Sequence, residues 1–163
     1  MNKEQIYLDS SVPSAYLDMR VPWRMEYTQQ WWREALPEYA AWISSLVLVE
    51  IRRTQDETIQ NQLVRLIVDL PQLELSDEIE QIATGYIRQA VIPASAFADA
   101  LHIAAASYYK IDFLVTWNCE HLAEAHRRRK IRLINTMAGL YVPEIVTPME
   151  LSARKEGDTY GLS

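Results

Sequence analysis

Three carboxylates and one amide stand against apolar stretches, far apart along the chain. Asp9 follows Ile6, Tyr7 and Leu8; Glu50 follows Leu46 to Val49; Asp99 lies within Ala96 to Leu101; and Asn118 closes the run Phe113 to Trp117. A carboxylate beside buried surface costs free energy unless it is hydrogen-bonded, paired or bound to a cation. Carboxylate and amide oxygens are hard donors. They suit Mg²⁺ or Mn²⁺, ions that keep several waters and complete their shell with substrate phosphates. Brought together, these four residues would hold an ion that activates water and neutralises charge on a scissile phosphate, and two ions about 4 Å apart would clamp the attacking and leaving oxygens. The chemistry they predict is metal-dependent phosphodiester hydrolysis.

The elements that must position them are readable from periodicity and punctuation. Residues 6–9 read as a short buried strand ending in a turn at Ser10 and Ser11. A helix is expected over 14–20, ended or kinked by Pro22, then a second over about 25–39 with Trp31, Trp32, Ala35 and Leu36 on its apolar stripe. Residues 41–44 read as a strand, and Glu50 lies on a turn or helix that Ser44 or Ser45 can cap. Thr54 to Glu57 has the capping-box pattern. Ile59, Leu63, Leu66, Ile67 and Leu70 follow at helical spacing until Pro71.

Leu73 and Leu75 suggest a brief strand. Ser76 caps a helix with Ile79, Ile82, Ala83, Tyr86 and Ile87 inward. Ser95 is expected to cap an Ala-rich helix over about 96–109, with Asp99, His102 and Ala106 on one face. Residues 113–117 are a strand, and Asn118 can cap the helix after it. Residues 131–137 suggest a strand at 131–134 and then a short helix, and residues 144–147 an edge strand between Pro143 and Pro148. The segment 151–163 has little apolar periodicity and is expected to fray. Strands alternating with helices predict one α/β domain over 1–150 with a mainly parallel sheet. In such sheets ligands bind beyond the carboxyl ends of the strands. Asp9 and Asn118 stand at such ends, Glu50 shortly after one, and Asp99 in a first helical turn, where the dipole favours an anion.

Composition narrows the classes. A chain of 163 residues, 49% apolar, can bury a sizeable core and is not a disordered segment. Its four glycines form neither a GxGxxG nor a P-loop pattern, against dinucleotide and P-loop nucleotide binding. The single Cys119 rules out an intrachain disulfide and a multi-cysteine zinc site. The N-terminal residues lack a secretory apolar core, and no stretch reaches the roughly 20 apolar residues of a membrane helix, so a cytoplasmic protein without membrane association is expected. A net charge of −6 is not that of a protein that coats nucleic acid, though local grip on phosphate is compatible with it. The dense basic run is His126 to Lys130, with Arg52 and Arg53 a smaller group.

Each of these residues also has a plainer role open to it. Asp9 could be a turn residue and Asp99 a partner of the helix dipole. Glu50 could pair with Arg52 or Arg53, and Asn118 could be a simple cap. Ser10 and Ser11 could orient Asp9 or merely turn the chain, and Thr116 could bond a site carboxylate or pack in the sheet. His102 is expected as a half-buried, hydrogen-bonded side chain, His121 and His126 as surface or capping residues. The basic run reads as a solvated helix end with favourable dipole contacts ahead of an RNA contact. Trp23, Trp31 and Trp32 read as core or dimer surface. Glu120 is expected in an exposed first turn.

The stretches Tyr7 to Val12, Ser45 to Glu50, Ala98 to Ala104 and Leu114 to Leu122, in this order and spacing over residues 5–150, resemble the PIN domain family, and within it the VapC-like toxins of bacterial toxin–antitoxin systems. Thr147 to Leu151 is similar to the family's closing segment. The resemblance implies a three-layer α/β/α PIN-like fold and a Mg²⁺- or Mn²⁺-dependent ribonuclease with its acidic site at Asp9, Glu50 and Asp99. It also implies a homodimer, an RNA substrate and a protein antitoxin laid over the site. The family's fourth position is often Asp; Asn118 occupies it here, removing one negative charge and favouring one tightly held ion. A PIN-like binding module without catalysis is the alternative. A haloacid-dehalogenase-like phosphatase is disfavoured, because Ser11 stands where its second Asp belongs.

Overall fold

The computed structural model describes residues 2–120, 122 and 124–160, the last three by backbone alone. Five strands, β1 (Gln5–Leu8), β2 (Ala40–Ser44), β3 (Gln72–Leu73), β4 (Phe113–Val115) and β5 (Glu144–Val146), form one sheet in the order β3-β2-β1-β4-β5. Every pairing is parallel, with Tyr7 opposite Trp42 on one side and Leu114 on the other. Ile6, Tyr7 and Leu8 are all fully buried. Successive strand residues point to opposite faces, so both faces of the central strand are covered. The architecture is three-layer α/β/α.

The helices are α1 (Ser11–Ala15), α2 (Pro22–Glu34), α3 (Ser45–Ile51), α4 (Glu57–Ile67), α5 (Asp77–Arg88), α6 (Phe97–Tyr108), α7 (Ala125–Ala138) and α8 (Pro148–Tyr160). Several local expectations give way to a better-placed partner. Pro22 does not end a helix but opens α2 at its first position, where its missing N–H costs nothing. The cap of α4 is Asp56, whose side chain accepts from Ile59 N at 3.1 Å, two residues beyond the expected Thr54. Ser76 caps α5 as expected. Ser95 instead sits in a 3₁₀ turn over Ala94–Ala96, and α6 has no side-chain cap.

The expected strand at 131–134 is the middle of α7, because Ile131 and Asn135, one turn apart, are both buried. The helix is opened by Glu124, whose carboxylate accepts from the N–H groups of His126 and Arg127 at 2.8 and 2.9 Å. The basic run therefore lies in the first turns of α7, where the dipole disfavours cations. Glu124 and the bidentate pair Arg128–Glu150, at 2.9 and 3.0 Å, supply the compensating charge. The helix ends on Gly139 at φ +72°, the left-handed position that glycine fills without a Cβ penalty.

The segment expected to fray is helical through Tyr160. Thr147 and Glu150 form a reciprocal capping box: Glu150 N donates to Thr147 Oγ1 at 3.0 Å and Thr147 N to Glu150 Oε1 at 3.2 Å. Pro148 takes the first helical position. Leu151 is buried, Arg154 lies over the Phe113 ring, and Lys155 pairs with Glu38 and lies over Tyr39. Docking to distant elements, which periodicity within the segment cannot reveal, holds α8 in place.

Candidate active site

The carboxyl end of β1 delivers Asp9 into a buried position, 3% exposed, with its N–H bonded to Val115 O on the neighbouring strand. Its carboxylate is gripped from both sides. Oδ1 accepts from Ser11 N at 3.1 Å and Ser11 Oγ at 2.5 Å; Oδ2 accepts from Thr116 Oγ1 at 2.6 Å. The two hydroxyls have acceptors' work of their own. Ser11 Oγ accepts from Trp117 N at 2.8 Å and Thr116 Oγ1 from Asn118 N at 2.9 Å. Since each hydroxyl has one proton, each relays a backbone N–H of the loop after β4 onto Asp9. Ser11 and Thr116 thus take the orienting roles.

Burial pushes the Asp9 carboxyl above the usual carboxylate range. The field of His102 and the Ser11 and Thr116 hydrogen bonds oppose this, while the negative field of Asp99 adds to it. No arginine or lysine pairs with Asp9 among the described residues. Among the described residues the carboxylate is ordered by dipoles and has no ion-pair partner.

Asp99 stands in the first turn of α6, half-buried and close enough for its charge to act on Asp9. Glu50, near the end of α3, turns away from the adjacent Arg52 and Arg53. Its Oε1 accepts from His102 Nε2 at 2.7 Å. His102 lies on α6, one turn beyond Asp99, and is fully buried where half-burial was expected. Its Nδ1 meets Tyr7 Oη at 2.6 Å, and Tyr7 Oη meets Ser44 Oγ at 2.7 Å. Ser44 thus spends its hydroxyl here and does not cap α3. Sequence reasoning placed His102 on the correct face but missed Tyr7 and Ser44. A tyrosine two residues before Asp9 on a buried strand, and so on its face, was the available signal.

Asn118 is half-buried and does not cap a helix: its carbonyl closes a turn with Leu122 N at 3.0 Å, and α7 starts later. With Ser11, Ser14, Arg24 and Trp117 it lines an open cleft of about 530 Å³, reached from Asp9 through Ser11 rather than lined by Asp9 itself. Arg24 Nε is buried without a hydrogen bond among the described residues, while its Nη2 pairs with Asp18 at 3.2 Å. Trp31 is core, Trp32 is half-buried, and Trp23 is exposed, edge-on to Trp117. Glu120 and Cys119 are exposed. His121 lies outside the described residues.

The donor set fits a hard divalent ion in kind: one buried carboxylate in need of a positive charge, a second within its field, and an amide two residues beyond the threonine that holds the first. Among the described residues no three His, Cys, Asp or Glu side chains are grouped to hold a metal. Mg²⁺ characteristically takes one or two carboxylates and fills the rest of its octahedron with water and phosphate oxygens, and Asp9 with Asp99 match that smaller requirement.

Solved structures share the fold. VapC20 of Mycobacterium tuberculosis, described as a Sarcin-Ricin loop cleaving toxin, superposes with a TM-score of 0.55 at 15% identity, over 71% of this chain and 91% of that one. VapBC2 from Rickettsia felis, bound to a DNA fragment from its promoter, gives 0.53 at 12%, over 88% and 98%. VapBC-5 of M. tuberculosis, a member of the VapBC family of toxin–antitoxin systems, gives 0.51 at 17%, over 88% and 98%. No curated protein matches the sequence. The PIN domain family model matches residues 6–121, most of the chain and a span that contains Asp9, Glu50, Asp99 and Asn118, and the chain belongs to the PIN domain family.

Proposed function

We propose that this chain is a Mg²⁺- or Mn²⁺-dependent endoribonuclease, the toxin of a toxin–antitoxin pair. The observation that carries the reading is Asp9: a buried carboxylate at the carboxyl end of a parallel sheet, locked by two hydroxyls and lacking a cationic partner among the described residues. Asp9 and Asp99 are the principal ligands in this reading, Glu50 completes the acidic set, and Asn118 supplies a neutral oxygen at its edge. When bound, the ion would activate water and stabilise charge on the phosphate. The chain's own residues prepare that event. Ser11 and Thr116 fix Asp9 in one orientation, burial keeps its field strong, and the cleft lined by Ser11 and Asn118 leaves room for a nucleotide beside it.

The exposed Arg129 and Arg132 of α7, which share a groove of about 570 Å³ with Arg128 and Arg154, suit the RNA backbone. The likeness to VapBC structures supports a protein antitoxin as partner. The exposed Trp23 and Met19 suit a homodimer or antitoxin contact. No helix among the described residues is long and apolar enough to cross a membrane, in keeping with the proposed cytoplasmic location.

The test is cleavage: purified protein with Mg²⁺ should cut RNA, and Asp99→Asn should abolish cutting while leaving the circular dichroism spectrum unchanged. Equal cleavage by both would refute the assignment. The second reading, a PIN-like module that binds RNA or protein without cleaving, is favoured by the absence of a three-carboxylate group among the described residues. It prevails if RNA binds and remains intact with every divalent ion tried. Asn118→Asp tests whether position 118 faces the ion: if it does, the added carboxylate should tighten Mn²⁺ binding several-fold.

A further inference from the structure

Ser44, Tyr7, His102 and Glu50 form a single hydrogen-bonded line through β2, β1, α6 and α3, with successive distances of 2.7, 2.6 and 2.7 Å. The first three are 0–1% exposed; the Glu50 side chain is 23% exposed at the end of the line. Proton counting fixes the polarity at its outer end. Nε2 faces a carboxylate oxygen, an acceptor, so Nε2 must carry hydrogen. With a neutral imidazole, Nδ1 is then the acceptor, Tyr7 donates to it, and Ser44 donates to Tyr7. With an imidazolium, Nδ1–H donates to Tyr7 and Tyr7 to Ser44. In both cases Nε2–H donates to Glu50 Oε1. Glu50 Oε2 makes no hydrogen bond among the described residues.

A glutamate left loose at a helix end samples many rotamers, and fixing it costs side-chain entropy. Here the buried line has already fixed it. Arg52 and Arg53, two and three residues away, are exposed and take no part in holding it. The anchor is the same helix that carries Asp99, one turn apart, so Glu50 and Asp99 are referred to one rigid body.

We infer that Ser44, Tyr7 and His102 are positioning residues that hold Glu50 by one oxygen and present the other to the divalent ion. This rests on the proposed function and extends it to groups that touch neither ion nor RNA. Partners of this kind around ligating carboxylates are worth about 10–100-fold in metal affinity.

The test is Mn²⁺ binding to the full chain, counted as free Mn²⁺ by electron paramagnetic resonance, alongside cleavage. His102→Ala should raise the Mn²⁺ dissociation constant by about 10–100-fold. It should raise the Mn²⁺ needed for half-maximal cleavage in step and leave the KM for RNA unchanged. His102→Gln, whose amide can donate to Glu50, should recover most of the affinity, and in a Glu50→Gln background His102→Ala should have no further effect on it. A folded His102→Ala protein with unchanged or tighter Mn²⁺ binding overturns the inference; tighter binding would make the line a restraint that withholds Glu50. If His102→Ala does not fold, ¹⁵N-histidine spectra of the wild type decide: Mg²⁺ should shift the His102 Nε2 resonance, and no shift overturns the inference. The two levels separate cleanly. A wild type that binds no Mn²⁺ refutes the metal-dependent function itself. Binding lost in Asp99→Asn but kept in His102→Ala refutes only the positioning role.

Discussion

Thr116 Oγ1 donates to Asp9 Oδ2 at 2.6 Å across the β1–β4 junction while accepting the N–H of Asn118. Thr116→Val keeps the shape and removes both bonds, leaving a buried acceptor and a backbone donor unsatisfied. A loss of about 1–3 kcal/mol is expected on chemical denaturation. Cleavage should fall at least about 10-fold, consistent with the cost of losing a partner of a ligating group. Thr116→Ser, which keeps the hydroxyl, should restore most of both. Wild-type activity in Thr116→Val would remove Asp9 orientation from the account.

The groove beside β5 makes a separate claim. Arg129 and Arg132 are exposed and have no acidic partner among the described residues, whereas Arg128 is held by Glu150. Changing either to alanine should weaken RNA binding and lower the slope of log affinity against log salt by about 0.7 per arginine. Fluorescence anisotropy in an Asp99→Asn background reads binding without cleavage. Unchanged affinity and slope in the double variant would exclude the groove from RNA contact.

Stability should depend heavily on one buried amide. Asn135, fully buried in α7, accepts from Tyr86 Oη at 2.6 Å and donates to Ser107 Oγ and Tyr141 O, each at 2.9 Å. Asn135→Ala strands several buried polar groups and should cost about 2–3 kcal/mol. For a chain this size that lowers Tm by about 4–12 °C. Tyr86→Phe, which leaves the amide its two acceptors, should cost less. Calorimetry on the two variants checks the order.

Acid should weaken the closure of α8. The Arg128 guanidinium holds the Glu150 carboxyl below its usual range against some desolvation, helped by Thr147 N–H. A carboxyl lowered on folding contributes stability above its unfolded pKa, and that stability is lost as pH falls through the lower folded value. Glu150→Gln should therefore sit below wild type in Tm at pH 7, with the gap closing in acid below the ordinary carboxylate range. Glu150 is partly solvated, so the gap should be small and shrink with salt. A gap that widens in acid would contradict the sign.

The positions of Asp9 and Asp99 were legible in the sequence, one at the end of an apolar run and the other in a first helical turn, where alternation and capping rules apply; the role of Thr116 was left open between a bond to Asp9 and sheet packing. The parallel sheet was legible for the same reason. The partner of Glu50 was not. Arg52 and Arg53 are near in sequence, but the fold brings His102, 52 residues on, within 2.7 Å of the Glu50 carboxylate. Ile131 to Ile134 has the composition of a strand, and only the Glu124 cap and the burial of Ile131 with Asn135 make it helical. The capping box at Thr147 and Glu150 was in plain view, yet the polar residues after it suggested fraying. What overrode local reading in each case was a contact with a distant element.

The bond between Asp9 and Thr116 spans 107 residues. At a synthesis rate of about 5–20 residues per second, Asp9 waits about 5–20 s for the strand that will orient it, and β1 waits equally long for one of its two neighbours. Non-local parallel pairing of this kind is slow to form. A growing chain on the ribosome therefore carries Asp9 without the hydroxyl that orients it until more than a hundred further residues have been added.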